Sequence, residues 1–273
     1  MARHYSSFIS HMFGKFASRE FSPKIQRFIN KSYVKLMRLD MSNFGKPENY
    51  TSLNALFTRA FQITPKQAVE QGDIISPCDA LVTECGKVEG AMAMQIKGME
   101  YDLAGLLSGK YAKYLDLFEG GEYINLYLSP RDYHRYHAPF DLDVISVLHI
   151  PGKLYPVNMP LLKYKLNLFI ENERVVIECI DSDGIRHFIV LVGALNVGKM
   201  VLTFDERIKT NTKLRQRSFY SYAEPIKLQI AELFGWFEMG STILMFSQKN
   251  SVSYSVSAGK KVSFGEPIGK KKI

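Results

Sequence analysis

The sequence predicts an α+β fold, in which N-terminal amphipathic helices are followed by a mainly antiparallel β domain. Two observations support this prediction. Apolar residues recur at helical spacing in the first part of the chain, and beyond Ile74 they follow strand spacing with glycine-containing turns in between. With 273 residues, 46% of them apolar and 23% charged, the chain can bury one substantial core. We therefore divide it into residues 1–45 and 46–273.

The N-terminal arm, residues 1–45, combines helical periodicity with concentrated positive charge. Residues 1–40 contain eight Lys or Arg and two acids, a net charge of +6 out of +8 for the whole chain. The pattern fits helices that lie in a membrane interface and equally fits helices that pack on a core. The charge favours an anionic membrane surface, and no motif supports nucleic acid as a partner. The apolar positions before and after Pro23 are Phe8, Ile9, Met12, Phe13, Phe16, Ile25, Phe28, Ile29, Leu36 and Met37.

The remaining elements follow from changes in period. A Gly/Pro/Asn-rich break at 43–51 precedes a short predicted helix at Ser52–Ala60, and a second helical segment is predicted around Leu103–Leu117. The longest apolar run, Phe188–Leu195, has eight residues against the roughly 20 that span a bilayer. The three cysteines lack CxxC spacing, which favours reduced thiols. Strands are predicted at Tyr123–Leu128, Val144–Ile150, Arg174–Ile180, Phe188–Val192, Lys199–Phe204 and, half-buried, at Ser251–Ser257.

The segment SPRDYHRYHAP, residues 129–139, concentrates ionisable side chains between two prolines. His134 and His137 lie three residues apart, close to Asp132, in what we expect to be a rigid loop after a strand. Three interpretations of the histidine pair stay open. The pair could bind a metal, although no third ligand is evident nearby. It could belong to a polar loop without chemistry, or one histidine could be a general base, because imidazole titrates near neutrality.

Two further segments carry candidate reactive groups. Asp79, in SPCDA, follows a short apolar run, and a carboxylate flanked by burial needs a hydrogen-bonding partner such as histidine. The alternative for Asp79 is an ordinary turn. Ser241, in FEMGST, follows Gly240 at the start of a predicted strand. Glycine tolerates backbone strain and leaves its carbonyl open to the serine hydroxyl, although GST alone is a weak signal.

In this order and at these separations, the three motifs resemble those of bacterial pyruvoyl-dependent phosphatidylserine decarboxylases. They are SPCDA (76–80), SPRDYHRYHAP (129–139) and FEMGST (237–242). The stretches PGKLYPVN (151–158), NERV (172–175) and LVGALNVG (191–198) also look like that family. The histidine motif is the most specific part, and the arm matches the family in character more than in letters.

The resemblance implies a self-processing enzyme with pyruvate as its cofactor and no metal. His137, oriented by Asp79, would take the proton of Ser241, and the chain would be cut between Gly240 and Ser241. Residue 241 would become a pyruvoyl group, which forms a Schiff base with phosphatidylserine and releases CO2 to give phosphatidylethanolamine. His134 would protonate the intermediate or hold the substrate carboxylate.

The resemblance also implies partners and a location. The expected partners are phosphatidylserine, an anionic membrane surface and the two cleaved chains, 1–240 and 241–273. A second copy of the chain, in a homodimer, is a further candidate. The expected location is peripheral, on the cytoplasmic face of the cell membrane, where the basic arm would hold the catalytic domain, residues 46–273.

Three residues depart from the family pattern, and three other functions compete with it. Met239 replaces Leu and Cys78 replaces Ala, while Ala80 replaces Gly and fits only where φ is negative.

A serine hydrolase could use Asp79, His137 and Ser241, but the chain lacks a GxSxG elbow. The other competitors are a lipid-binding protein without catalysis and a decarboxylase of a small soluble amino acid.

Overall fold

The centre of the molecule is an antiparallel sheet of eight strands. The computed structural model describes residues 12–62, 69–89, 92–96, 99–157, 167–195, 199–212, 216–238 and 241–272, with backbone only for 92–96, 99–101 and 241. Its strands are β1 (Asp73–Ile75), β2 (Ala80–Lys87), β3 (Met92–Ile96), β4 (Met99–Asp102), β5 (Glu122–Leu128), β6 (Arg135–His137), β7 (Leu142–Ile150), β8 (Arg174–Asp181), β9 (Arg186–Gly193), β10 (Met200–Leu202), β11 (Ser218–Leu228), β12 (Leu233–Phe237), β13 (Ser241–Ser247), β14 (Val252–Tyr254), β15 (Lys261–Val262) and β16 (Pro267–Lys271). The order in the large sheet is β11-β7-β8-β9-β13-β5-β2-β15.

Side-chain alternation along these strands builds two cores, one on each face of the sheet. In β13, Ile243 and Met245 belong to one buried cluster, whereas Leu244 and Phe246 belong to the other. Because both faces are covered, the inner strands are nearly continuous apolar runs. The predicted antiparallel β domain is confirmed, and β13 lies in its interior between β5 and β9.

Short helices cover the sheet and form the N-terminal arm. They are 12–17 (α1), Pro23–Met37 (α2), Leu53–Phe57 (α3), Leu103–Leu107 (α4), Leu115–Phe118 (α5) and Leu168–Glu171 (α6). Pro23 occupies the first turn of α2, where a missing N–H costs nothing, and the Ser52 side chain caps α3. The helical segment predicted around Leu103–Leu117 is confirmed as α4, a 3-10 turn and α5. Among the described residues, no helix is long and apolar enough to cross a membrane.

The inward side of helix α2 carries polar as well as apolar side chains. Gln26 and Asn30 are buried and hydrogen-bonded to each other, and Asn30 also donates to the carbonyls of Pro47 and Tyr50. A cluster of Ala17, Tyr33, Leu39, Leu53, Leu56 and Phe57 joins the arm to α3, across the division predicted between residues 45 and 46. That division remains a prediction. The packing leaves part of the apolar stripe of α2 on the outside, with Phe28 73% and Leu36 76% exposed, while Ile29 and Met37 are partly buried against the cluster.

Two strands are shorter than predicted, because in each only three residues form ladder pairs. The strand predicted at Lys199–Phe204 is Met200–Leu202, which pairs with only three residues of β12. The strand predicted at Ser251–Ser257 is Val252–Tyr254, and it pairs with β16 in a separate sheet of three strands, β1-β16-β14. Another small sheet, β10-β12-β6, carries one of the candidate histidines.

Candidate active site

The two candidate histidines lie on and just beyond a compact loop that leaves β5. We call Ser129–His134 the histidine loop. Within it, Asp132 Oδ2 accepts from the Ser129 N–H at 2.7 Å, and the Asp132 N–H donates back to the Ser129 carbonyl at 2.9 Å. Burial raises the pKa of the Asp132 carboxyl. Asp132 therefore shapes the loop with its side chain and main chain.

His134 ends the loop and is fully buried. Its Nδ1 lies 2.8 Å from the Asp132 carbonyl, and because a carbonyl only accepts, Nδ1 carries the hydrogen. The lone pair is then on Nε2, a buried atom with no hydrogen-bond partner in the part of the chain that the structure describes. The Phe57 ring packs 3.9 Å from the imidazole, and burial lowers the pKa of His134 to about 3. His134 is thus neutral, with an unsatisfied acceptor.

His137 ends β6 and is held at three points. Its N–H donates to the Pro77 carbonyl, and its Nδ1 lies 2.8 Å from the Ala231 carbonyl, which fixes the hydrogen on Nδ1. Its Nε2 lies 3.0 Å from the Tyr133 hydroxyl and accepts from it. Burial lowers the pKa of His137 to about 4. At neutral pH the ring is therefore neutral, with its basic lone pair on Nε2.

Asp79 lies beside His137 without a direct hydrogen bond to it. Its Oδ1 accepts from the Phe264 N–H at 2.8 Å, and the backbone N–H of Tyr133 also interacts with the carboxyl. Phe264 in turn stacks on His137, with ring centroids 4.0 Å apart. Burial, together with the charge of Asp132, raises the pKa of Asp79. The expected orientation of His137 by Asp79 is therefore not a direct contact in this structure: Tyr133 and Phe264 connect the two residues.

The described residues on either side of Met239 and Gly240 pair with the histidine loop or with the residue just before it. Leu128, the last residue of β5 before the loop, is the register partner of Ser241, which also pairs with Gly193 on the other side. At the end of the loop, the His134 carbonyl accepts from the Phe237 N–H at 2.9 Å. Met239, Gly240 and the Ser241 side chain lie outside the described residues. The backbone on both sides of them is nevertheless paired with the end of the loop and with the residue just before it.

The arm and α3 pack on the outside of the histidine loop. The Tyr33 hydroxyl donates to the Pro130 carbonyl at 3.1 Å, and Arg59 Nη2 donates to the Arg131 carbonyl at 3.1 Å. Arg59 is buried, and its Nε and Nη1 have no hydrogen-bond partner among the described residues. Arg135 Nε donates to the Thr58 carbonyl at 2.9 Å. The loop is therefore clamped between the sheet and the helical region.

Comparison with known proteins identifies the family. The family described as phosphatidylserine decarboxylase matches residues 53–270. The chain belongs to the phosphatidylserine decarboxylase family. It is 44% identical over 267 residues to a phosphatidylserine decarboxylase proenzyme of Helicobacter pylori (strain ATCC 700392 / 26695), covering 97% of each chain. It is 42% identical to the proenzyme of Campylobacter jejuni and 32% identical to that of Brevibacillus brevis, covering 97% of this chain in both cases and 98% and 94% of theirs. The chain is therefore an enzyme of a decarboxylase family, as the motifs predicted.

The fold tolerates Ala80, the departure from the family pattern with the largest expected effect on the backbone. Ala80 begins β2, opposite Val262, and is not among the positive-φ residues. The condition set by the sequence, a negative φ at this position, is met. Alanine therefore allows the same backbone conformation at the start of β2 as glycine would, and the neighbouring Asp79 is not displaced.

Sequence reasoning missed several residues that contact the candidate groups. Tyr133 lies inside the histidine motif of this decarboxylase family member, so its position beside two histidines was a usable signal. Phe264, Ala231 and Arg59 gave none, because a lone Phe, Ala or Arg far from a motif is common. Only the folded chain brings them to Asp79, His137 and the loop.

Proposed function

We propose that this chain is a proenzyme that cuts itself between Gly240 and Ser241 and then decarboxylates phosphatidylserine with the pyruvoyl group formed at residue 241. The observation that carries the proposal is the pairing of Phe237 with His134, at the end of the histidine loop, and of Ser241 with Leu128, just before its start. The neutral imidazole of His137, with its lone pair on Nε2, supplies the base that the first step requires.

In the proposed maturation, the Ser241 oxygen attacks the Gly240 carbonyl carbon while its proton goes to His137. The amide C–N bond then breaks, the nitrogen of residue 241 takes up that proton, and an ester remains. Loss of the Cα proton of residue 241 expels the Gly240 carboxylate and leaves dehydroalanine. Addition of water and release of ammonia complete the pyruvoyl group.

In the proposed decarboxylation, the pyruvoyl carbonyl supplies an electrophile for the substrate amine and takes up the electron pair left when CO2 departs. His134 is the proposed proton donor to the product or the contact to the substrate carboxylate. Its buried, unpaired Nε2 supports this role, since a polar atom that has no partner among the described residues is costly to maintain. Phe57, packed against the ring, keeps water from that side.

The fold would keep the two pieces together after cleavage. Residues 241–273 contribute β13 to the interior of the large sheet, where it is paired on both edges. They also contribute β16, which pairs with β1 of the longer piece, and the Phe264 N–H that holds Asp79. We therefore expect the pieces to separate only on unfolding.

The outward stripe of α2 supports a membrane role for the arm. Ile25, Phe28 and Leu36 are exposed large apolar residues on one face, and Lys24, Arg27, Lys31 and Lys35 lie along its side. A helix packed only for stability would bury its large apolar side chains, whereas α2 leaves these three exposed and turns Gln26 and Asn30 inward together with Tyr33. The exposed stripe and basic flank suit the interface of an anionic bilayer, which carries the lipid substrate.

The proposed substrate is tested by measuring labelled CO2. We expect release from carboxyl-labelled phosphatidylserine in vesicles and none from labelled free serine under the same conditions. Release from serine alone would instead assign a small soluble amino acid as substrate. No release from either by fully cleaved protein would contradict the proposed reaction.

The membrane role predicts separate effects on lipid turnover and on maturation. In the double variant Phe28→Ser, Leu36→Ser, we expect at least about a tenfold loss of activity on anionic vesicles, because two exposed apolar anchors are removed. Self-cleavage should continue, since both side chains point away from the protein. Leu117→Ser is the matched control, because Leu117 is 45% exposed on α5, outside the arm. Equal vesicle activity in both variants would contradict the role assigned to the stripe.

A further inference from the structure

Tyr133 interacts with both Asp79 and His137. Its backbone N–H helps to lower the pKa of the Asp79 carboxyl, and its hydroxyl donates to His137 Nε2 at 3.0 Å. The side chain is 2% exposed and lies among aromatic rings, with the Phe61 centroid 4.4 Å away. Its phenol is therefore fixed in position rather than free to rotate into solvent.

The phenol occupies the only basic position of His137. Since Nδ1 donates to the Ala231 carbonyl, the lone pair that can accept a proton is on Nε2, and this is the atom that Tyr133 caps. A proton can reach Nε2 along this hydrogen bond or after the phenol has moved away. Movement is disfavoured because the ring is packed between Phe61 and Phe264.

We propose that Tyr133 takes part directly in self-cleavage by relaying the proton of Ser241 to His137 Nε2. The inference rests on the proposed function. The Ser241 hydroxyl proton passes to the phenol oxygen as the phenol proton passes to Nε2, so Tyr133 stays neutral and His137 becomes positive. The Ser241 oxygen forms its bond to the Gly240 carbonyl carbon. When the amide bond breaks, the proton returns by the same route to the nitrogen of residue 241.

Chain geometry and chemistry both support a relay. A phenol can accept one hydrogen bond while it donates another, so it can join a serine hydroxyl to an imidazole. The histidine loop starts just after Leu128, the register partner of Ser241, and Tyr133 follows within the same loop. Burial raises the pKa of Tyr133, so the phenol remains protonated and acts as a carrier rather than as a base in its own right.

The test compares Tyr133→Phe with Tyr136→Phe. Both replacements remove one buried hydroxyl from the same segment, but the Tyr136 hydroxyl donates to the carbonyls of Val201 and Trp236. We expect Tyr133→Phe to slow self-cleavage at least about tenfold and Tyr136→Phe to cleave at close to the wild-type rate. Cleavage is followed by intact mass over time in freshly refolded protein, and thermal unfolding verifies that each variant is folded.

A second readout distinguishes a relay from a general loss of packing. Around His137 lie the Tyr133 hydroxyl, the Ala231 carbonyl, the Phe264 ring and the charged Arg135, whose effect, like that of burial, is to lower the pKa of His137. Donation by Tyr133 stabilises neutral imidazole, so its loss should move the acid limb of cleavage to higher pH by about one unit. Phenylalanine retains the backbone N–H that interacts with Asp79, so this interaction is unchanged.

The outcomes separate this inference from the proposed function. A folded Tyr133→Phe protein that cleaves at the wild-type rate or faster would overturn the relay. A slower variant with an unchanged acid limb would reduce Tyr133 to a packing residue and would also overturn it. If the wild-type chain itself never cleaves, the proposed function fails first.

Discussion

Replacing Ser241 by Ala is expected to leave one intact chain of 273 residues with no decarboxylase activity. In the proposed maturation, Ser241 supplies both the oxygen that breaks the backbone and the carbon skeleton of the pyruvoyl group. No other residue can replace either contribution, so the loss should be complete rather than partial. Electrophoresis and intact mass detect the missing cleavage, and labelled CO2 detects the missing turnover.

The matched control for this variant is Ser253→Ala. Ser253 is an exposed serine of β14 in the same C-terminal piece, and β14 belongs to a different sheet from β13. The control variant should cleave and turn over normally. Cleavage after residue 240 in the Ser241→Ala protein would show that Ser241 is not the nucleophile of maturation. It would also contradict Ser241 as the source of the pyruvoyl group.

The second large effect is expected from His137→Ala, which should slow self-cleavage by roughly 10²- to 10⁴-fold, the range of a lost general base. The neutral ring and the lone pair on Nε2 are the physical reasons. Cleavage in the wild type should need His137 uncharged, so its rate should rise with pH through a pKa of about 4 and then level off. Intact mass over a pH series measures both the slower cleavage of the variant and the pH dependence of the wild type.

His134→Ala is the comparison that separates the two histidines. His134 donates from Nδ1 to the Asp132 carbonyl, and its Nε2 has no hydrogen-bond partner among the described residues. The proposed mechanism assigns this histidine to decarboxylation and gives the first proton transfer to His137. We expect this variant to cleave while losing most of its CO2 release. Equal maturation rates for both histidine variants would contradict the division of roles.

Much of the fold could be predicted because the spacing of apolar residues reflects which side chains are buried. The helical arm, the change to strand spacing beyond Ile74 and the strands that became β5, β7, β8 and β9 all follow from apolar spacing. The direction in which α2 faces could not be predicted. An apolar stripe gives the same periodicity whether it faces a core or a membrane, and the burial of Gln26 and Asn30 is seen only in the folded chain.

The candidate site could be predicted in part for a similar reason. The motifs identified Asp79, His137 and Ser241 as groups to bring together, and the fold places Asp79 and His137 in one aromatic pocket and Ser241 at the strand beside it. The connection between Asp79 and His137 could not be predicted. Contacts such as Phe264 to Asp79 join residues 185 positions apart, and no spacing in a sequence encodes them.

The most direct test of self-cleavage is the intact mass of the purified wild-type protein under denaturing conditions. Self-cleavage predicts two species, the larger corresponding to residues 1–240 and the smaller to residues 241–273 with a pyruvoyl group in place of the N-terminal serine. The smaller species should resist N-terminal sequencing and should react with a carbonyl reagent. A single species with the mass of the uncut chain, in protein that releases CO2 from phosphatidylserine, would contradict a pyruvoyl group made from Ser241.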